Sequence, residues 1–327
     1  MKAAAQPTET PTARERPTVG MPPLHRAIFL AMFALLLVLP FLVYPVFAMK
    51  VMCFALFAAA FNLLLGFGGL LSFGHAAYFG GASYVAAHAA KVWGLTPELA
   101  VLAGTAAAAV LGLVIGALSI RRQGIYFAMV TLAFAQMVYF VALQAPFTGG
   151  EDGIQSVPRG DLFGLISLRD NLSLYWFVLA ITFGGILALY RITHSPFGQV
   201  LKAIRENEPR AVSLGYRVDR YKLLVFVLSA TMAGLAGATK SQVFQLASLT
   251  DVHWAMSGEV VLMTLLGGMG TIFGPLVGAA VIITMQNYLA TFGAWVTVIQ
   301  GVIFVLAVLL FREGIVGVLA RRINRPL

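Results

Sequence analysis

Residues 98–122 read ELAVLAGTAAAAVLGLVIGALSIRR. One acid opens the stretch, no further charge interrupts it, and Arg121 and Arg122 close it. A bilayer core is about 30 Å thick and takes roughly 20 apolar helical residues to cross. Only helices and closed barrels satisfy their backbone groups in lipid. A barrel strand would alternate apolar and polar residues over about ten positions. This run does not alternate, so it reads as a membrane-spanning helix.

The same pattern recurs along the chain. Predicted helices cover about 28–48, 51–67, 74–91, 98–119, 124–143, 174–192, 223–246, 256–268, 274–291 and 294–312. A mean hydropathy of +0.88, with 11% charged residues, excludes an ordinary soluble domain. The fold class is therefore all-α: a polytopic helical membrane protein with about eight to ten transmembrane helices. Segment 256–268 is too short to span alone and reads as a half-helix. Pro40 and Pro45 predict kinks in the first helix.

Residues 1–26 are polar and rich in Pro and Thr, and are expected to form a disordered tail. The run at 28–48 reads as a retained first helix rather than a cleaved signal. The expected organisation is a tail at 1–26, a transmembrane domain at 27–313 and a C-terminal tail at 314–327. The single cysteine, Cys53, excludes an internal disulfide.

Basic residues orient these helices. Most of the 22 Lys and Arg fall in four segments. Lys2, Arg14, Arg16 and Arg26 lie in the N-terminal tail, and Arg121 and Arg122 in a tight turn. Arg191, Lys202, Arg205, Arg210, Arg217, Arg220 and Lys222 lie in a central stretch, and Arg312, Arg321, Arg322 and Arg325 near the C-terminus. An even helix count puts all four on one face, which the positive-inside rule makes cytoplasmic. The opposite loop, 144–173, balances Glu151, Asp152, Asp161 and Asp170 against Arg159 and Arg169. The net charge of +9 thus reflects membrane orientation and implies no nucleic-acid partner. The chain is expected in a bacterial inner membrane, multi-pass, with both termini cytoplasmic.

The central stretch, 194–222, predicts two short helices under the membrane. Ser195 is a natural N-cap and Pro196 fits the first helical position. Val200, Leu201 and Ile204 recur at helical spacing. Pro209 stops that helix and begins a second, through Ala211, Val212 and Leu214. Gly215 is placed to close it in a left-handed conformation. A solvated connector needs neither caps nor an apolar face. An apolar face exposed to the cytoplasm predicts a separate cytoplasmic partner.

These residues carry a resemblance. The order Ser195-Pro196-Phe197-Gly198, then Ala203-Ile204-Arg205-Glu206-Asn207-Glu208, then Arg210-Ala211 and Leu214-Gly215 resembles the coupling loop of the M-type permeases of ABC importers for branched-chain amino acids. Asn62 to Ala77, Gly124 to Phe127, Thr148 to Ile154 and Gly258 to Thr271 strengthen the resemblance to that family. The resemblance covers about residues 50–312. The general ABC-importer signature fits less well: Arg210 stands where that motif has its first alanine, and the closing Leu-Pro is absent. The resemblance implies a substrate channel formed with a second permease subunit, two cytoplasmic ATPase subunits and a periplasmic substrate-binding protein. Ser195, Pro196, Phe197, Gly198, Arg205, Glu206, Asn207, Ala211, Leu214 and Gly215 would couple to the ATPases. Relatives in the family also carry urea and short amides, so the substrate does not follow from the fold.

The chain itself shows no catalytic constellation, metal-ligand set or cofactor motif. Gly234 to Ser241 nearly matches a phosphate-binding loop, but Thr239 replaces its second glycine and the segment lies inside an apolar helix. Its small residues suit close helix packing. A self-sufficient secondary transporter would need a coupling site within the membrane, for which Glu259 is the one loose candidate.

Two glycine-rich breaks, Gly66 to Gly74 and Gly267 to Gly274, interrupt the hydrophobic runs. Each follows Leu-Gly and ends in Phe-Gly, a weak internal repeat. Paired breaks of this kind either line a transporter's substrate path or form ordinary turns at the cytoplasmic surface. Asn62, Ser72, His75, Gln136 and Glu259 are the polar candidates for such a path. The position of Glu259 near the start of its segment favours an interfacial acid with its charge satisfied over a group that lines the path or holds the two permeases together.

Overall fold

The computed structural model describes residues 22–290, 293, 295–310 and 314–323. Fourteen α-helices follow in chain order among them. They are α1 Pro23–Leu42, α2 Pro45–Asn62, α3 His75–Lys91, α4 Pro97–Ser119, α5 Ile125–Gln144, α6 Asn171–His194, α7 Pro196–Glu206, α8 Glu208–Ser213, α9 Val218–Phe244, α10 Leu249–Val252, α11 Trp254–Gly267, α12 Gly274–Leu289, α13 Trp295–Leu310 and α14 Gly314–Ile323.

Among the described residues, six helical stretches are long and apolar enough to cross a membrane: α1, α2 with the π-turn that continues it, α4, α5, α6 and α9. Helices α3, α11, α12 and α13 are shorter, at 17, 14, 16 and 16 residues. The chain is a polytopic helical membrane protein, as its apolar runs require.

A first unit ends at Val38 and a second runs from Leu39. Two expectations about the N-terminus need correction. The predicted helix 28–48 is two helices: α1 stops at Leu42 and Pro45 starts α2. Proline is tolerated in a first helical turn, where no N–H is needed, so Pro45 begins a helix rather than kinking one. Pro40 does lie within α1. Residues 1–21 of the expected tail lie outside the described residues, while Pro23 to Arg26 already belong to α1. At the other end, much of the segment read as a tail, 314–327, is the helix α14, which packs against α11 and α12; residues 324–327 lie outside the described residues.

Helices α2, α3 and α9 form the centre of the second unit. α2 is buried nearly all round from Ala48 to Asn62, as a helix apolar on every face should be. α9 packs against α2, α3 and α4 through small residues. A Cβ on Gly112 or Gly234 would collide with an alanine of the facing helix, and one on Gly237 with the backbone of Phe79. The near-match to a phosphate-binding loop is thus a helix-packing surface. α4 and α5 turn a broad apolar face outward, with Leu102, Val110, Leu118, Ile125 and Met137 exposed. That is the face a bilayer covers.

The connection 145–170 holds the other end of the bundle from the charged loop. Strand β1, Ile154–Gln155, pairs antiparallel with β4, Leu246–Ala247, while β2, Asp161–Leu162, pairs with β3, Ile166–Ser167. Arg159 donates to the carbonyls of Val243 at 2.6 Å and Gln242 at 3.4 Å, at the C-terminus of α9. A cation there complements the unpaired carbonyls and the helix dipole.

Candidate functional site

The central loop folds as its caps dictate. The Ser195 hydroxyl accepts the Gly198 N–H at 3.3 Å, and Pro196 occupies the first turn of α7. Gly198 is required because α7 leaves α6 so sharply: a Cβ there would run into the carbonyls of Ile192 and Thr193. Phe197 stacks on Tyr221 with ring centroids 5.7 Å apart. α8 begins one residue before Pro209, and its cap is Asn207, whose side chain accepts the Arg210 N–H at 3.0 Å. Gly215 takes φ +87° after α8. Its N–H reaches the Val212 carbonyl at 2.9 Å and the Tyr216 N–H reaches that of Ala211 at 3.2 Å. This paired closure of a helix C-terminus favours glycine.

One expectation is overturned. The apolar face of α7 is not offered to a partner. Leu201 and Ile204 are buried, and Ile204 clusters with Ala211 and Val218 of α8 and α9, flanked by Val200 and Tyr221. The loop covers its own apolar stripe. What points outward is α8 and the turn after it: Val212, Leu214 and Tyr216 are 57%, 69% and 40% exposed. Glu206 and Asn207 are also exposed.

Arg205 is exposed as well, but it reaches back toward the membrane unit. Its guanidinium donates to the carbonyl of Gly66, at the first glycine break. Its aliphatic stem lies across Gly69, where an added Cβ would sit 3.0 Å from the Arg205 Cγ.

The two glycine breaks meet. After α2 the chain passes through a π-turn, Leu63–Phe67, then runs non-helically to Gly74. The Asn62 side chain accepts the Gly270 N–H at 2.9 Å and donates to the Thr271 carbonyl at 2.8 Å, so it holds the second break. Gly66 permits this approach: a Cβ there would fall 2.6 Å from the Gly270 nitrogen. Gly69, Gly268 and Gly270 have φ of +69°, +129° and +78°, which glycine adopts without strain.

The first break enters the bundle. Thr131 of α5 accepts the Phe73 N–H at 3.2 Å, Ser72 accepts that of Gly74 at 3.1 Å, and Ser257 of α11 accepts that of Ala76 at 2.9 Å. His75 is fully buried, 2.8 Å through Nε2 from Ser229 of α9, whose hydroxyl donates to the Ala60 carbonyl at 2.5 Å. Unwound backbone among apolar helices needs such partners. Asn62, Ser72 and His75 each serve the backbone or a neighbouring helix at the first break: Asn62 holds the second break, Ser72 caps Gly74 and His75 meets Ser229. Gln136 is half-buried on α5, and Glu259, half-buried on α11, meets the Gln286 side chain.

Two ion pairs, and a third lysine near one of them, escaped the sequence reading. Lys222 pairs with Glu208 at 2.7 Å, and Gln123 of the α4–α5 turn donates to the same carboxylate at 3.4 Å. Lys240, inside the near-match to a phosphate-binding loop, pairs with buried Asp251. Lys50 lies within electrostatic reach of Lys240, Asp251 and Glu259. A lone lysine in an apolar helix was the available signal, since a cation there must find a partner. On the loop side, a cavity of about 410 Å3 opens among Gly69, Gln123, Arg205, Glu208 and Lys222.

The capped loop and the paired glycine breaks both fall within a stretch that matches a known family. The family model described as branched-chain amino acid transport system, permease component, matches residues 45–308. The chain belongs to that family. This permease is similar to the high-affinity branched-chain amino acid transport system permease protein LivM of Salmonella typhimurium and of Escherichia coli K12, at 28% and 29% identity over 237 residues. The matches cover 65% of this chain and 56% of each relative, so they span just over half of those proteins. It is also similar to the ribose import permease protein RbsC of Escherichia coli K12, at 28% identity over 239 residues, covering 68% of this chain and 72% of that one. No solved structure matches.

Proposed function

We propose that this permease is the membrane subunit of an ATP-driven importer for branched-chain or related amino acids. It forms the channel with a second permease subunit, receives substrate from a periplasmic binding protein and is driven by two cytoplasmic ATPase subunits. It hydrolyses nothing itself. The charged loop and both termini face the cytoplasm of a bacterial inner membrane. The transmembrane domain begins with α1 at Pro23, with 194–222 as the coupling loop.

The observation that carries this reading is α8. A two-turn helix that starts on Asn207 and the turn through Gly215 that closes it present Val212, Leu214 and Tyr216 to solvent. Rigid, exposed apolar side chains on a charged loop suit insertion into a cleft of a soluble partner. Membership of the permease family supports that partner being the importer's ATPase. Likeness to LivM supports a branched-chain amino acid as substrate. Likeness to RbsC over 72% of its length supports a second reading, a sugar.

The test is uptake in liposomes by the permease with and without its partner subunits. Labelled leucine should accumulate when ATPases, second permease, binding protein and ATP are all present, and should not move with this permease alone. Leucine movement down its gradient through the lone chain would contradict the reading in favour of a self-sufficient carrier. ATP-driven uptake of ribose but not leucine would keep the machine and replace the substrate; uptake of urea or a short amide instead would do the same.

A further inference from the structure

Within the coupling loop one residue reaches past its own element into the membrane unit. The geometry points to Arg205 as the positioning residue through which movement of α7 and α8 is delivered to the two glycine breaks. The inference rests on the loop reading above and extends it inward.

The carbonyl that Arg205 holds sits where the helical ladder ends. Through the π-turn, the N–H groups of Gly68, Leu70 and Gly69 return to the carbonyls of Leu63, Leu64 and Leu65. Gly66 comes next, and its carbonyl takes the Arg205 guanidinium. A cationic donor to a backbone carbonyl is stronger than a neutral one and directional. π-turns in helices occur frequently at functional sites.

The other end of the clasp is firm. Ile204, beside Arg205, is buried against Ala211 and Val218, so Arg205 follows any displacement of the loop. The near end of the break is tied across: Asn62, one turn before Gly66, bonds both Gly270 and Thr271. Arg205 Nη1 also lies 3.5 Å from where a Gly270 Cβ would be. A pull on Gly66 therefore reaches Gly270 through groups already in contact. Glycines with positive φ on both sides can absorb the change in backbone angle as hinges do. A contiguous set of contacts with a flexible joint is the physical requirement for such transmission.

The experiment compares Arg205→Met with Arg205→Lys in the complete importer. The two replacements have similar length, and only lysine can donate to the Gly66 carbonyl. Leucine transported per ATP hydrolysed is measured beside ATPase stimulation and the unfolding temperature of the purified permease. Arg205→Met should lose at least about tenfold in leucine per ATP, while Arg205→Lys keeps about a third or more, the spread expected for a charged hydrogen bond. Equal transport by the two variants would overturn the inference. So would a drop in unfolding temperature large enough to account for lost transport, since that makes Arg205 a folding residue. Leu214→Glu separates the two claims. If it leaves ATPase stimulation intact while Arg205→Met still uncouples, the docking reading fails and the clasp stands. If it abolishes stimulation while Arg205→Met transports normally, the clasp alone fails.

Discussion

Helices α7 and α8 are neighbours in one charged loop, and each starts on a side-chain cap, yet they face opposite ways. α7 turns Leu201 and Ile204 into the protein and sends Arg205 to Gly66. α8 buries little but Ala211 and leaves Val212 and Leu214 in solvent. The difference teaches that an amphipathic pattern in a loop does not say what covers the apolar side. In α7 the covering is the rest of the chain. The surface left for a partner is the shorter helix, which has too few residues to show a periodic stripe at all.

The comparison can be broken most sharply in the anchor. Leu201→Asp puts a charge into a buried site and should cost roughly 3–5 kcal/mol, as unpaired buried charges do. Unfolding in detergent should show a lowered transition and loss of assembled importer. A variant that assembles and transports normally would mean that α7 is not anchored. On α8, Leu214→Glu should leave the permease's own unfolding unchanged and weaken ATPase stimulation at least about tenfold, the scale of an interface anchor. Gly215→Val forces a branched side chain to positive φ and should cost about 1–2 kcal/mol locally. It should lower uptake per ATP while membrane insertion stays intact; unchanged uptake and ATPase activity would show that the closing turn of α8 is not used. The smallest effects belong to the caps. Ser195→Ala and Asn207→Ala should each cost about 1 kcal/mol. The first should loosen α7 and the second α8, visible as faster amide hydrogen exchange confined to the affected helix.

Much of this was legible in the sequence because it is local. Apolar runs of spanning length, Ser195 before Pro196, and Gly215 after a short helical pattern are all decided by residues within a turn of one another. So are the glycine breaks, which interrupt hydrophobic runs where no helix could continue. What was not legible is what those pieces touch. That Asn62 would bridge to Gly270 and Thr271, far along the chain, depends on how α2 and α12 pack. Arg205 reads in the sequence as a cytoplasmic cation and one of the ATPase-coupling residues, and its partner at Gly66 is not legible there because that contact is set by packing between segments far apart in the chain. Asn207 was overshadowed by Pro209, which breaks helices visibly, although asparagine is the stronger start signal. At the N-terminus the same error ran in reverse: Pro45 was read as a kink because the runs on both sides are apolar, and only the turn at Val43 and Tyr44 separates two helices.

The most direct test of the central contrast is cross-linking to the ATPase partner. The chain has a single cysteine, Cys53, and it is buried, so Cys53→Ser gives a clean background. A cysteine introduced at Leu214 should join the ATPase through a short bifunctional reagent in the assembled importer, and one introduced at Leu201 should not. An adduct from position 201, or none from position 214 in a complex that still transports, would contradict the assignment of α7 as anchor and α8 as contact.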